Sequence, residues 1–231
     1  MIRAAKGGLL GRLAEGYVGW KFRSAFRGLW VRGPLPRGPE SRLVYANHSN
    51  WWDGFVLHQL GQAAGWDAYC VMEEHNLARY RFLSRLGAFS IRRGEGASSL
   101  ETLRYARGLL RLPRAAVCIF PEGQLRPFGM RAPRLERGVE LLARVGGVAC
   151  VPLAIRYVFL EHERPDVIVE VGEAHPAAPL EHFQRELEGV VRRLEAVTQL
   201  DGFTQVVGGA SGVAERWDRV RARLSGRAHH G

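Results

Sequence analysis

From residue 42 to residue 171 the chain alternates short apolar, β-branched runs with amphipathic stretches at helical spacing. That rhythm restricts the fold more than any other feature. Extended runs fall at residues 42–47, 67–72, 88–92, 115–120, 148–157 and 166–171, and helical patterns at 53–62, 76–85, 97–111 and 136–145 lie between them. Strands joined through helices need crossover connections. The pattern therefore predicts an α/β fold with a mixed, largely parallel sheet covered by helices. Ser98 and Glu101 ahead of the Leu103–Leu110 run have the form of a capping box. Two more helices, over 180–199 and 213–225, are expected on either side of the Gly-rich stretch 202–212. A length of 231 residues suits one large α/β domain, and no repeat or low-complexity segment divides it.

Thirty-three Lys and Arg against 23 Asp and Glu give a net charge of +10 and a pI near 10.3. Such a chain prefers anionic partners: nucleic acid, acidic lipid surfaces or phosphorylated substrates. Only Lys6 and Lys21 are lysines, and neither stands in the Gly-Lys-Ser/Thr context of a Walker A loop. Coding bias, which the abundant Ala, Gly and Pro also fit, explains the arginine total better than arginine-specific chemistry does. Cys70, Cys118 and Cys150 lie inside apolar runs, odd in number and spaced for neither zinc nor a redox pair. They read as buried free thiols of a reducing compartment.

Residues 1–37 hold eight basic side chains and one acid, Glu15, which is most of the net charge. Leu10, Leu13, Tyr17 and Trp20 recur at spacings of three and four on one helical face. A basic helix with such a face is expected to lie on a membrane surface, so residues 1–33 read as an amphipathic docking segment ahead of a domain over 34–231. The plainer alternative is a terminal helix packed on the domain with its charges solvated. No stretch approaches 18 apolar residues, and Arg12 and Glu15 interrupt Leu9-Leu10 too soon for a signal peptide.

Chemistry-bearing residues cluster where extended runs end. Tyr45–Gly54 contains His48 and Asp53, which would diverge by about 140° on a continuous helix. They meet only if His48 lies in a loop and the chain folds back onto Asp53 near a helix start. A carboxylate on one ring nitrogen then leaves the other free to accept a proton; the alternative is a loop histidine beside an ordinary N-cap. Phe120-Pro121-Glu122-Gly123 ends another run in a carboxylate and a turn, followed by Arg126, Arg131, Arg134 and Arg137. A third run, Gly87 to Arg93, also ends in positive charge suited to phosphate.

His48-x4-Asp53, Gly87…Arg93, Phe120-Pro121-Glu122-Gly123 and Val151-Pro152-Leu153-Ala154-Ile155 stand in this order over about residues 42–157. Together they resemble the four blocks of the glycerolipid acyltransferases, especially the lysophosphatidate (1-acylglycerol-3-phosphate) acyltransferase-like enzymes. The resemblance implies transfer of a fatty acyl group from a thioester, on coenzyme A or acyl carrier protein, to a lipid hydroxyl. His48 is then the general base, Asp53 its orienting partner, and Arg93, Glu122, Gly123 and Arg126 the acceptor-binding residues. Val151–Ile155 is a core strand beside the site. The Gly-x-Ser-x-Gly elbow of hydrolases is absent from the sequence.

Five positions depart from the family pattern. Gln124-Leu125-Arg126 replaces Thr-Arg-Ser, Ser90 stands where an apolar or aromatic residue is usual, and Arg92 where Asp is frequent. Lysophosphatidate leads as acceptor, followed by a carotenoid glycoside, an ornithine lipid or another polar lipid. The expected setting is peripheral or monotopic association with the cytoplasmic face of a membrane, during phospholipid biosynthesis. No cofactor beyond the acyl co-substrate, no metal site and no nucleic acid are expected; the other histidines form no evident ligand cluster. A non-enzymatic basic module binding membranes or nucleic acid explains the charge but not the four ordered blocks.

Overall fold

The structure, a computed structural model, describes residues 1–92, 96–130 and 135–210 together with Gly212, Trp217 and Arg221. The chain passes through α1 (Gly8–Ala25), β1 (Gly28–Arg32), β2 (Arg42–Ala46), α2 (Asp53–Ala64), β3 (Asp67–Glu73) and α3 (Glu74–Arg79). A 3₁₀ turn (Arg81–Leu86) leads into β4 (Ala88–Ile91), α4 (Gly96–Leu109), β5 (Ala115–Ile119) and α5 (Gly138–Gly146). β6 (Ala149–Val158), β7 (Asp166–Val171), α6 (Leu180–Glu195) and β8 (Thr204–Gly208) follow.

These strands form one sheet in the order β4-β3-β5-β2-β6-β7-β1-β8. β4, β3, β5, β2 and β6 are mutually parallel; β7 turns back against β6, β1 runs parallel to β7, and β8 is antiparallel to β1. The sheet is thus mixed and largely parallel, as the alternation requires. β2 is buried at every position and lies between β5 and β6.

Period-two alternation divides the core. Val44 and Ala46 face α1 and α2, packing with Phe22, Val56, Leu57 and Leu60. Leu43 and Tyr45 face α4, α5 and α6, packing with Leu109, Val139, Phe183 and Leu187. Burying both faces is what makes the strand run Leu43-Val44-Tyr45-Ala46 apolar throughout.

Three elements differ from the sequence expectation. The N-terminal helix stops at Ala25, and Leu29-Trp30-Val31, β-branched and aromatic between Gly28 and Gly33, enter the sheet as β1. Thr204–Gly208, in the Gly-rich stretch, pairs with β1 as the edge strand β8. The helix expected over 76–85 breaks at Tyr80 (φ −116°, ψ 56°) into α3 and the 3₁₀ turn. That expected over 213–225 falls almost wholly outside the described residues.

α1 rests on the sheet side through Gly11, Val18, Gly19 and Phe22. Its other face is open: Leu9, Leu10, Leu13, Tyr17 and Trp20 are each more than half exposed. The apolar row singled out in the sequence is therefore not the row that packs on the domain. No described helix is long and apolar enough to cross a membrane.

Candidate active site

The site forms at the carboxyl ends of β2 and β5, where loops leave the sheet. Asn47 continues β2 beyond its last residue. Its buried amide donates to the Ile155 carbonyl (3.0 Å) and accepts the Ile155 N–H (2.7 Å), anchoring the loop to β6. His48 follows. Its N–H donates to Glu122 Oε1 (3.1 Å) and its carbonyl accepts the Arg126 N–H (2.7 Å), so the loops after β2 and β5 are tied together.

The loop then folds back as the five-residue spacing demands. Asp53 begins α2 with its carboxylate fully buried. Oδ2 accepts the N–H groups of Ser49 (2.7 Å) and Asn50 (2.8 Å) and lies 2.9 Å from His48 Nδ1. Oδ1 accepts the Tyr157 hydroxyl proton (2.6 Å). Asp53 is thus no ordinary N-cap: its bonds run to the preceding loop and across to β6. A carboxylate only accepts, so Nδ1 carries a proton, and in the neutral ring Nε2 is the nitrogen with the lone pair. Burial, and next the Asp53 charge, push the Tyr157 hydroxyl far above the usual phenol range, so Tyr157 stays a donor.

The His48 ring stacks on Phe120 and stands at the mouth of an apolar cavity of about 520 Å³. Trp51 and Leu125 flank the mouth, and Leu57, Cys70, Leu83 and Leu86 line the interior. Burial pushes the Cys70 thiol up to about 12. It is thus a poor nucleophile near neutral pH. All three cysteines are free.

Glu122 lines a second cavity of about 450 Å³, between the 122–130 loop and α6. Burial raises its carboxyl above the usual range, against the opposing pull of the His48 N–H and Arg126. Gly123 turns the chain there with φ 72°, a conformation that favours glycine. Arg126 Nε lies 3.8 Å from Glu122 Oε2, and Arg126 lines the same cavity. Of the proposed acceptor-binding residues, Glu122, Gly123 and Arg126 therefore gather beside His48. Arg93 lies outside the described residues, as do Arg131 and Arg134. Arg137 is exposed at the start of α5.

The unusual second block forms its own network. Ser90 Oγ donates to Glu74 Oε2 (2.9 Å), and Arg92 Nε donates to Glu74 Oε1 (2.6 Å). Both departures thus serve one carboxylate, which Arg92 and Ser90 hold below the usual range. Gly87 opens the block with φ 102°, where a Cβ would stand 2.5 Å from the Ala68 carbonyl oxygen.

Two site residues carry no signal of their own in the sequence: Phe120 is one member of its block and Tyr157 lies at the end of a strand, and nothing local says that they meet His48 and Asp53. A histidine oriented by a buried carboxylate, with its free nitrogen beside an apolar cavity, is suited to removing a proton from a hydroxyl near an apolar substrate.

Known proteins bear on this arrangement. No curated protein matches the chain in sequence. Among solved structures, the fold is similar to that of PlsC from Thermotoga maritima, a 1-acyl-sn-glycerophosphate (LPA) acyltransferase. The TM-score is 0.55 and the identity 17%, over 82% of this chain and 80% of that one. The Acyltransferase family model matches residues 32–156, which carry His48, Asp53, Glu122 and Gly123. The match spans more than half of the 231 residues, and the chain belongs to the Acyltransferase family.

Proposed function

We propose that the protein moves a fatty acyl group from a thioester, on coenzyme A or acyl carrier protein, to the free hydroxyl of 1-acylglycerol-3-phosphate, giving phosphatidic acid. The observation that carries this reading is the His48 Nδ1–Asp53 bond, with Nε2 unbonded among the described residues at the mouth of an apolar cavity.

In this reading the acyl chain occupies the 520 Å³ cavity and its thioester carbonyl sits at the mouth, beside His48. Nε2 takes the acceptor hydroxyl proton while the oxygen attacks the carbonyl carbon. The tetrahedral intermediate collapses by breaking the carbon–sulfur bond, and the imidazolium returns its proton to the departing thiolate. Asp53 offsets the imidazolium charge. The elevated Cys70 thiol argues against an acyl-cysteine intermediate. Glu122, Gly123 and Arg126 are the acceptor contacts, with Arg93 as a further phosphate ligand.

Lipid substrates place the reaction at a bilayer. The open row Leu9, Leu10, Leu13, Tyr17 and Trp20, with Arg12 and Lys21 exposed on the same helix, supports docking of α1 on an anionic surface at the cytoplasmic face. The Arg126–Glu122 pairing favours one second reading: that arginine is partly committed to a carboxylate, which suits a less charged acceptor such as a glycolipid or ornithine lipid.

The test is incubation with acyl-coenzyme A and lysophosphatidate, following free thiol release and the acylated product. Release that depends on both lipid and His48 is expected. Equal turnover by His48→Ala would overturn the general-base reading, and thiol release only with another acceptor would overturn lysophosphatidate.

A further inference from the structure

The cavity beside His48 is lined mainly by apolar side chains; Glu73, Asn76, Arg79 and Gln124 also line it, and so does the buried imidazole of His58. Cys70 pairs with Cys118, two residues before Phe120, so the part of the lining made by Ala68 and Cys70 lies back along the strands from Phe120 and His48. His58 lines the cavity too, five residues along α2 from Asp53, or roughly 7.5 Å further along the helix axis. Leu57, Leu83, Leu86, Ala68 and Ala88 are among the apolar residues lining the cavity with it.

His58 is 8% exposed, and its Nε2 is buried without a hydrogen-bond partner among the described residues. Burial is the largest influence on the ring and lowers its pKa to about 4; nearby Lys6 acts in the same direction and the Leu86 carbonyl opposes. The ring is therefore neutral near pH 7. A buried polar atom without a partner is costly, and apolar side chains dominate the walls of native cavities that hold saturated chains. An imidazole nitrogen donates or accepts according to tautomer. A hydroxyl answers either case, whereas a keto or ether oxygen only accepts.

Resting on the acyl-donor reading of this cavity, we propose that His58 recognises a hydroxyl carried part-way along the acyl chain, making hydroxyacyl thioesters the preferred donors. Its distance from Asp53 along α2 points to a mid-chain hydroxyl rather than one beside the thioester. His58 is a specificity residue here, remote from the reacting atoms.

The test uses S-alkyl thioethers of coenzyme A, which cannot transfer their chains. Plain, β-hydroxy, mid-chain hydroxy and ω-hydroxy chains of equal length are titrated calorimetrically into the full chain. The mid-chain compound is expected to bind about 10-fold tighter than the plain one. His58→Leu should erase that ratio and His58→Gln, which keeps a donor and an acceptor, should retain part of it. Equal binding of plain and mid-chain compounds, preference for another position, or a ratio unchanged in His58→Leu would overturn the proposal. Thioester turnover is measured in parallel. Absence of all transfer alongside a persisting mid-chain preference would refute the acyl-transfer reading, and with it the donor role, while leaving recognition of the mid-chain hydroxyl by His58 standing.

Discussion

The imidazole of His48 lies almost parallel to the ring of Phe120, with centroids 4.2 Å apart and planes inclined by 14°. Asp53 fixes one edge of the imidazole and Phe120 fixes its plane, so two independent contacts set the direction of Nε2. The residue before the Pro-Glu-Gly turn is thus a positioning residue.

Phe120→Ala is expected to lower kcat about 10-fold, with a smaller change in KM. Ring stacking contributes about 0.5–1.5 kcal/mol, and a loosened base acts on the proton-transfer step. Steady-state kinetics with the acyl donor varied separates the two; a pure KM effect contradicts the role.

His48→Ala should abolish turnover in a protein that still folds, with a loss of about 1–3 kcal/mol of stability because the bond to the buried Asp53 carboxylate goes with the ring. Asp53→Asn should lose roughly 10³–10⁴-fold in kcat, since an amide can bond the wrong imidazole tautomer. It should also unfold at lower denaturant, because Oδ2 accepts two backbone N–H groups. Product formation and denaturant titration on both variants check this.

Tyr157→Phe removes the donor to Asp53 Oδ1 while keeping the ring. Loss of the bond to a buried carboxylate should cost about 1–3 kcal/mol of stability. A shift in the denaturant midpoint without a change in slope is the expected record.

His58 makes stability depend on pH. Its pKa falls from the ordinary 6.5 to about 4 on folding. Between those values the unfolded chain therefore binds the extra proton. Its contribution is complete above pH 6.5 and is lost as pH falls toward 4, by roughly 3 kcal/mol. The melting temperature of the wild type should fall relative to that of His58→Leu over that interval as acid is added; parallel curves would show that the ring titrates normally in the fold.

Leu10→Glu combined with Trp20→Glu should reduce sedimentation with anionic vesicles at least 10-fold, whereas the melting temperature should change little because both side chains are mostly exposed. Undiminished sedimentation would remove α1 from the docking surface.

The fold class was legible because burial on both faces imposes continuous apolar strands, and six such strands lie close to their expected positions. β1 escaped because Leu29-Trp30-Val31 reads equally well as the end of a basic aromatic helix. Only pairing with β7, 138 positions later at Trp30–Ile168, separates the two. β8 escaped for the opposite reason: Thr204–Gly208 is exposed or half-buried throughout and carries little apolar pattern. The His48–Asp53 pair could be posed from its spacing, since only one loop geometry lets those side chains meet. Tyr157 and Phe120 could not, because contacts between strand ends depend on strand order, which local sequence does not encode.

The position of β2 also has a consequence for the order of assembly. Its two neighbours, β5 and β6, are synthesised long after it, and the bonds that shape the catalytic loop span 74 residues to Glu122, 104 to Tyr157 and 108 to Ile155. A nascent chain ending before residue 155 has His48 and Asp53 but neither the strand nor the hydroxyl that holds them. Contacts so distant along the chain close slowly. The reactive centre is therefore among the last parts of the sheet to form, and a chain interrupted in translation before β6 carries the base without the means to aim it.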